Sequence, residues 1–365
     1  MFFLRWCMTM KSLKLLQLLS FSLCLIAFRN VVVEGLRNDI RDPVKLFAFG
    51  DSYADTGNTP RPTSKTASSS WKVPYGITFP GKPSGRFSDG FVLTDFLAKY
   101  LRLKTPVTYK SWKNHGRNRL KYGMNFAYGG SGVFQTLLPY PNMTEQIDFF
   151  QQLVKHHVFT SHDIQNAVVL VQLSGNDYSY YASEHPNLAG IQAYAENVVA
   201  QLVKNIERVY SFGVKQILVS NIEPLGCLPG STGSLNYTEC SASGNSLAVF
   251  HNSLLEQAVA KLNSETKGNY PRIILLDIFD SFLSIINNKT GLPSGDFNFG
   301  NPLEPCCIGV NSSYFCASTS EDGEKLYTLC GNRKARFFWD TNHPTQEGWR
   351  VVTTLLRATF SKIRI

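Results

Sequence analysis

The chain has 365 residues, 43% of them hydrophobic, which is ample for the packed core of one large α/β domain or two small ones. Its formal net charge is +9. Much of that charge lies in one acid-free stretch, Lys110, Lys113, Arg117, Arg119 and Lys121, which reads as a solvated loop, with an acidic cell-wall polymer or an anionic lipid surface as its functional alternative.

The elements follow in chain order. Arg5, Lys11 and Lys14 precede an apolar run over 15–28 that is short for a bilayer span, the pattern of a secretory signal peptide. Residues 1–35 are therefore read as a leader cut between 27 and 36, with the domain over 36–365. Arg5, Lys11, Lys14 and Arg29 against Glu34 remove a net +3, leaving +6. No later segment is apolar enough to span a membrane, so the mature chain is expected to lack a transmembrane segment. A secreted chain does not ordinarily meet nucleic acid, and no such partner is expected.

Residues 45–49 read as a buried strand, followed by Gly50-Asp51-Ser52. A Ser-, Thr-, Pro- and Gly-rich connection runs over 59–90. Apolar spacing predicts a helix over 90–101, and a short apolar run over 124–127 ends in glycines. Residues 167–173, Ala-Val-Val-Leu-Val-Gln-Leu, are a buried strand. A long amphipathic helix is predicted over 188–212, ended by Gly213. Strand 216–220, helix 246–266, strand 272–278 and a last helix over 346–361 complete the pattern. Strands alternating with helices predict a mainly parallel sheet covered on both faces.

Residues 291–335 break that alternation and read as a disulfide-clipped insertion. Outside the leader the cysteines are Cys227, Cys240, Cys306, Cys307, Cys316 and Cys330, an even count that suggests disulfides in a secreted chain. Six cysteines allow about 15 pairings, and Cys227 with Cys240 is the simplest local one. Cys306-Cys307 lacks Cys-x-x-Cys spacing and has no histidine nearby, which argues against zinc. Sequons at Asn142, Asn236, Asn288 and Asn311 fit a secretory route and predict surface positions.

Chemistry concentrates at the two ends of the domain. Ser52 follows a strand, at the carboxyl edge where open α/β sheets bind ligands. A serine hydroxyl needs a base to become a nucleophile. His343 is the candidate, with Asp340 three residues before it to hold the ring. The bland alternatives are a turn-capping serine and a turn-capping aspartate. His162-Asp163 is the nearest rival pair and reads instead as an element boundary. The run Gly81-Lys82-Pro83-Ser84-Gly85 lacks the ending of a phosphate loop, and no Gly-x-Ser-x-Gly elbow occurs.

Taken together, Gly50-Asp51-Ser52, Gly129-Gly130, Gly175-Asn176-Asp177 and Asp340-x-x-His343 resemble the four ordered blocks of the GDSL (SGNH) esterase/lipase family, in its plant-type branch. Tyr53 stands where the name-giving motif has leucine. The resemblance implies a single-domain, three-layer α/β/α fold of flavodoxin-like type. It implies a Ser52–His343–Asp340 triad and oxyanion donors from the Ser52 amide, Gly130 and the Asn176 side chain. It also implies an ester substrate, lipid or other small acyl ester, with no metal or organic cofactor. An extracellular acyltransferase using the same residues, and a silent binding protein on the same fold, are the alternatives.

Overall fold

The computed structural model describes residues 44–61, 68–265, 272–292 and 297–364. The predicted leader and its cleavage site lie outside them. Strand β1, Lys45–Gly50, carries an unbroken apolar run, and Leu46, Phe47, Ala48 and Phe49 are all fully buried. Burial on both faces is what a central parallel strand requires. Strands β2 (Val107–Thr108), β3 (Gly123–Asn125), β4 (Ala167–Gln172), β5 (Gln216–Ser220) and β6 (Ile273–Leu276) complete a six-stranded sheet in the order β2-β3-β1-β4-β5-β6. Every pairing in it is parallel. The chain winds from β1 toward β3, then crosses to β4 on the other side. The switch point therefore falls between β1 and β4, the crevice that such sheets use for ligands.

The helices of eight or more residues are α1 (Leu93–Tyr100), α2 (Met143–Lys155), α3 (Asn176–Glu184), α4 (Ile191–Ser211), α5 (Ala242–Ser264), α6 (Ile278–Ile286) and α7 (Gln346–Leu355). Side chains alternate along β1, and so do the cores. Phe47 and Phe49 pack with Phe150 of α2, Leu202 and Ile206 of α4 and Leu255 of α5. Leu46 and Ala48 pack with Leu97 of α1, Phe282 of α6 and Trp349 of α7. The result is a three-layer α/β/α domain, as expected. No helix among the described residues is long and apolar enough to cross a membrane.

Several expected boundaries are corrected. The helix expected over 188–212 starts at Ile191, because Leu188 and Gly190 take φ of 54° and 81°. A separate helix, α3, precedes it. The strand expected over 272–278 stops at Leu276, where the Asp277 side chain accepts the Asp280 amide at 3.0 Å and caps α6. The last helix ends at Leu355, and a further turn covers Arg357–Phe360. Helices α2, α3 and α6 and strand β2 were not expected.

The insertion holds the antiparallel pair β7 (Cys307–Gly309) and β8 (Tyr327–Leu329). Disulfides join Cys306 to Cys330 and Cys307 to Cys316, and Cys227 pairs with Cys240 as the local reading had it. Asn236, Asn288 and Asn311 are exposed, whereas Asn142 is half-buried and caps α2.

Candidate active site

Ser52 sits in a tight turn directly after β1. The Asp51 carbonyl accepts the amides of Ala54 and Asp55 at 3.1 and 2.8 Å, which folds the chain back within five residues. Gly50 makes this possible: at φ 141° any Cβ there would collide with the Gln172 backbone of β4. The opposing loop is a small hairpin. Phe338 bridges Pro344, and the Trp339 amide donates to the His343 carbonyl at 2.6 Å. Two neighbours brace it from outside. Gly230 donates to the Thr341 carbonyl at 2.8 Å, and Cys307 of β7 donates to the Trp339 carbonyl at 2.6 Å.

These two loops bring Ser52 Oγ within 2.8 Å of His343 Nε2. On the other side of the ring, Nδ1 lies 2.8 and 2.9 Å from the two Asp340 oxygens. An ionised carboxylate can only accept, so Nδ1 carries the ring proton and Nε2 accepts the serine hydroxyl. Asp340 is fully engaged. Its Oδ1 accepts the amides of Asn342 and His343 at 2.8 and 2.9 Å, and its Oδ2 accepts the Tyr75 hydroxyl at 2.6 Å. Burial pushes the Asp340 carboxyl up, but the charge of His343 and the bonds from His343, Tyr75 and Asn342 outweigh it and hold it below the usual carboxylate range. The imidazole is packed between Phe87 and Tyr53, at ring-centroid distances of 5.1 and 5.9 Å.

The glycine block separates its two members cleanly. The Gly129 amide is already spent on Thr59 Oγ1 at 2.7 Å and Asp55 Oδ2 at 3.2 Å. The Gly130 amide has no partner among the described residues, and φ 82° turns the backbone there toward the cavity that Gly130 lines. Asn176 opens α3 just beyond β4, and its amide donates to Asp51 Oδ2 and to the Ser131 carbonyl, both at 3.0 Å. Its neighbour Asp177 accepts the amides of Val133 and Phe134 at 2.9 Å each, which pins the loop carrying Gly130 and Ser131.

Ser52, His343, Gly130 and Asn176 line one cavity of about 720 Å³. Phe87, Leu137, Leu138, Leu225, Leu228 and Phe315 give it an apolar wall. Among the described residues no group of three or more His, Cys, Asp or Glu could hold a metal ion. Of the other histidines, His251 is buried with Nδ1 at 2.6 Å from the Tyr178 hydroxyl and does not line this cavity.

Four side chains around the site escaped sequence reasoning. Tyr75 orients Asp340 from a loop far away in sequence. Asp55 accepts the amides of Gly57, Asn58 and Thr59 and so shapes the turn after Ser52. Asp51 accepts both the amide and the hydroxyl of Ser174 through Oδ2. Burial pushes the Asp51 carboxyl up to about 6 against those bonds. Glu223 lines the cavity while remaining buried. Only Asp51 had a visible signal, its place beside the candidate serine.

A serine, an imidazole and a carboxylate thus meet at the switch point of a doubly wound parallel sheet, the arrangement that an activated hydroxyl needs. The chain belongs to the GDSL-like lipase/acylhydrolase family, which matches residues 46–356. A GDSL esterase/lipase of Arabidopsis thaliana is 50% identical over 317 residues, covering 86% of each chain. A second one from Arabidopsis thaliana is 49% identical over 317 residues, covering 86% of this chain and 87% of its own. The solved structure of Axe2, an acetylxylan esterase from Geobacillus stearothermophilus, covers 89% of this chain and 99% of its own at TM-score 0.40 and 12% identity. The chain is a carboxylic ester hydrolase, with small-molecule esters as its substrate class.

Proposed function

We propose that this esterase is a secreted serine hydrolase of lipid or other acyl esters, with Ser52 as nucleophile, His343 as general base and Asp340 as the group that holds the ring. The observation that carries the reading is the 2.8 Å approach of Ser52 Oγ to His343 Nε2 inside the cavity. The Ser52 proton moves to Nε2 as Oγ bonds to the ester carbon. The resulting oxyanion is met by the amides of Ser52 and Gly130 and by the Asn176 side chain, which exchanges its bond to Ser131 for one to substrate. Collapse of this intermediate breaks the bond to the alcohol, which takes the proton from Nε2. Water then attacks the acyl-serine, gives its proton to His343, and the acid leaves as Oγ recovers it.

Secretion belongs to the same proposal. An apolar leader, three disulfides and exposed sequons at Asn236, Asn288 and Asn311 fit an oxidising, glycosylating route. The test of the site is labelling by a fluorophosphonate. The proposal expects one adduct, on the peptide carrying Ser52, with loss of ester turnover in step. An adduct on another residue, or full turnover after complete labelling of Ser52, would contradict it.

A further inference from the structure

The cavity wall contains one acid that the chemistry above does not use. Glu223 follows β5, three residues past its end, and is 1% exposed. It lines the cavity that holds Ser52 and His343. Its Oε2 has no hydrogen-bond partner among the described residues. Buried carboxyl oxygens are normally satisfied, so an orphan one calls for a partner.

The other buried acids of the site show the contrast. Asp55 and Asp177 each accept backbone amides with both oxygens and hold loops by doing so. Asp340 is likewise satisfied at both oxygens. Glu223 does not close a loop in this way. It stands beside Tyr53, whose hydroxyl donates to the Asn342 carbonyl at 2.7 Å, and so beside the backbone neighbours of Ser52 and His343. Burial first, and the charge of Asp51 after it, push the Glu223 carboxyl well above the usual range, against the pull of its own backbone amide and the Tyr53 hydroxyl. A carboxyl that keeps its proton offers one O–H donor and an acceptor. Leu225 and Leu228 line the same cavity and bring no polar side chain to it.

We propose that Glu223 is a specificity-determining contact, whose carboxyl hydrogen-bonds a hydroxyl or carbonyl group carried by the ester next to the scissile bond. The proposal rests on the reading of Ser52 as nucleophile. A site built to hydrogen-bond a substrate group discriminates strongly against the analogue that lacks it, because its own buried group is then left unpaired. The enzyme is thus matched to oxygenated esters rather than to plain hydrocarbon ones.

The experiment uses the wild type, Glu223→Gln, Glu223→Met and Ser52→Ala, with folding checked by circular dichroism. Two matched ester pairs locate the contact. p-Nitrophenyl butyrate against p-nitrophenyl 3-hydroxybutyrate probes the acyl side. Propyl butyrate against 2,3-dihydroxypropyl butyrate probes the alcohol side. The expected result is a wild-type preference in kcat/KM for the oxygenated member of one pair. Glu223→Met should cut that ratio by about tenfold to a hundredfold, and Glu223→Gln by less. No preference in the wild type, or a ratio unchanged in a folded variant, would overturn the Glu223 assignment. Should Glu223→Met fail to fold, the ratio in Glu223→Gln decides. Turnover of these esters that survives in Ser52→Ala would instead overturn the nucleophile assignment beneath it.

Discussion

The Tyr75 hydroxyl donates to Asp340 Oδ2 at 2.6 Å, across a sequence separation of 265 residues. Both groups are buried, and the bond fills the last open position on the carboxylate that faces His343. Hydrogen bonds to a charged group contribute about 1.5–3 kcal/mol, and a buried charge stripped of one is left short. Tyr75→Phe should therefore lower the unfolding free energy by that order and reduce kcat by roughly tenfold, as the ring of His343 loses its fixed support. Urea denaturation and steady-state kinetics on the same preparation check it. Unchanged values of both would mean that Asp340 does not need Tyr75.

Asp51 makes stability depend on pH. Its carboxyl is raised from 3.8 to about 6, with burial as the dominant cause. A folded-state value above the unfolded one means that folding favours the protonated form. The contribution is complete below the unfolded value and is lost as pH rises through the folded one. The wild type should lose on the order of 3 kcal/mol from this group between about pH 4 and about pH 7. Asp51→Asn should flatten the curve over that window, which urea titrations at a series of pH values will show. An identical slope in the variant would contradict the assignment.

The insertion reaches the site through its backbone. Cys306 and Cys307 donate to the carbonyls of Phe338 and Trp339 at 3.0 and 2.6 Å, immediately before Asp340. Removing the Cys307–Cys316 disulfide by the double change Cys307→Ser and Cys316→Ser should cost about 2–3 kcal/mol of stability. It should also lower kcat, because the strand that backs the Asp340 loop is less firmly held. Melting temperature and kcat are the readouts, and thiol alkylation of the native protein should find no free cysteine among the six.

Asn176 gives a sharper kinetic signature. In the role proposed for it the amide meets an oxyanion only near the transition state, so Asn176→Ala should lower kcat on the order of a hundredfold while KM stays within roughly a few-fold. It also donates to Asp51, so some stability should go with it. A variant that melts early but keeps its rate per folded molecule would reduce Asn176 to a structural role.

The layers of the fold were legible because β1 and β4 are unbroken apolar runs, and the meeting of Ser52 with His343 and Asp340 was expected from four motif blocks in order, since Ser52 and His343 lie 291 residues apart and neither segment is decisive alone. The misses have particular causes. Helix α2 had its signal: Asn142 and Glu145 form a reciprocal capping box, and Met143, Ile147 and Phe150 share a face. Asn142 is read from the sequence only as a surface sequon, and its capping role goes unused. Helix α6 went unread because the strand expected over 272–278 runs past Asp277, the residue that ends β6 and caps the helix. Tyr75 and Glu223 could not be found from sequence, because neither carries a local motif and each owes its role to chain brought in from far away.

The nucleophile is the centre of all these expectations, and ester turnover by purified, folded Ser52→Ala tests it most directly. With His343 and Asp340 left in place, kcat should fall on the order of a thousandfold or more while the melting temperature stays near that of the wild type. Turnover at the wild-type rate by the folded variant would contradict the assignment.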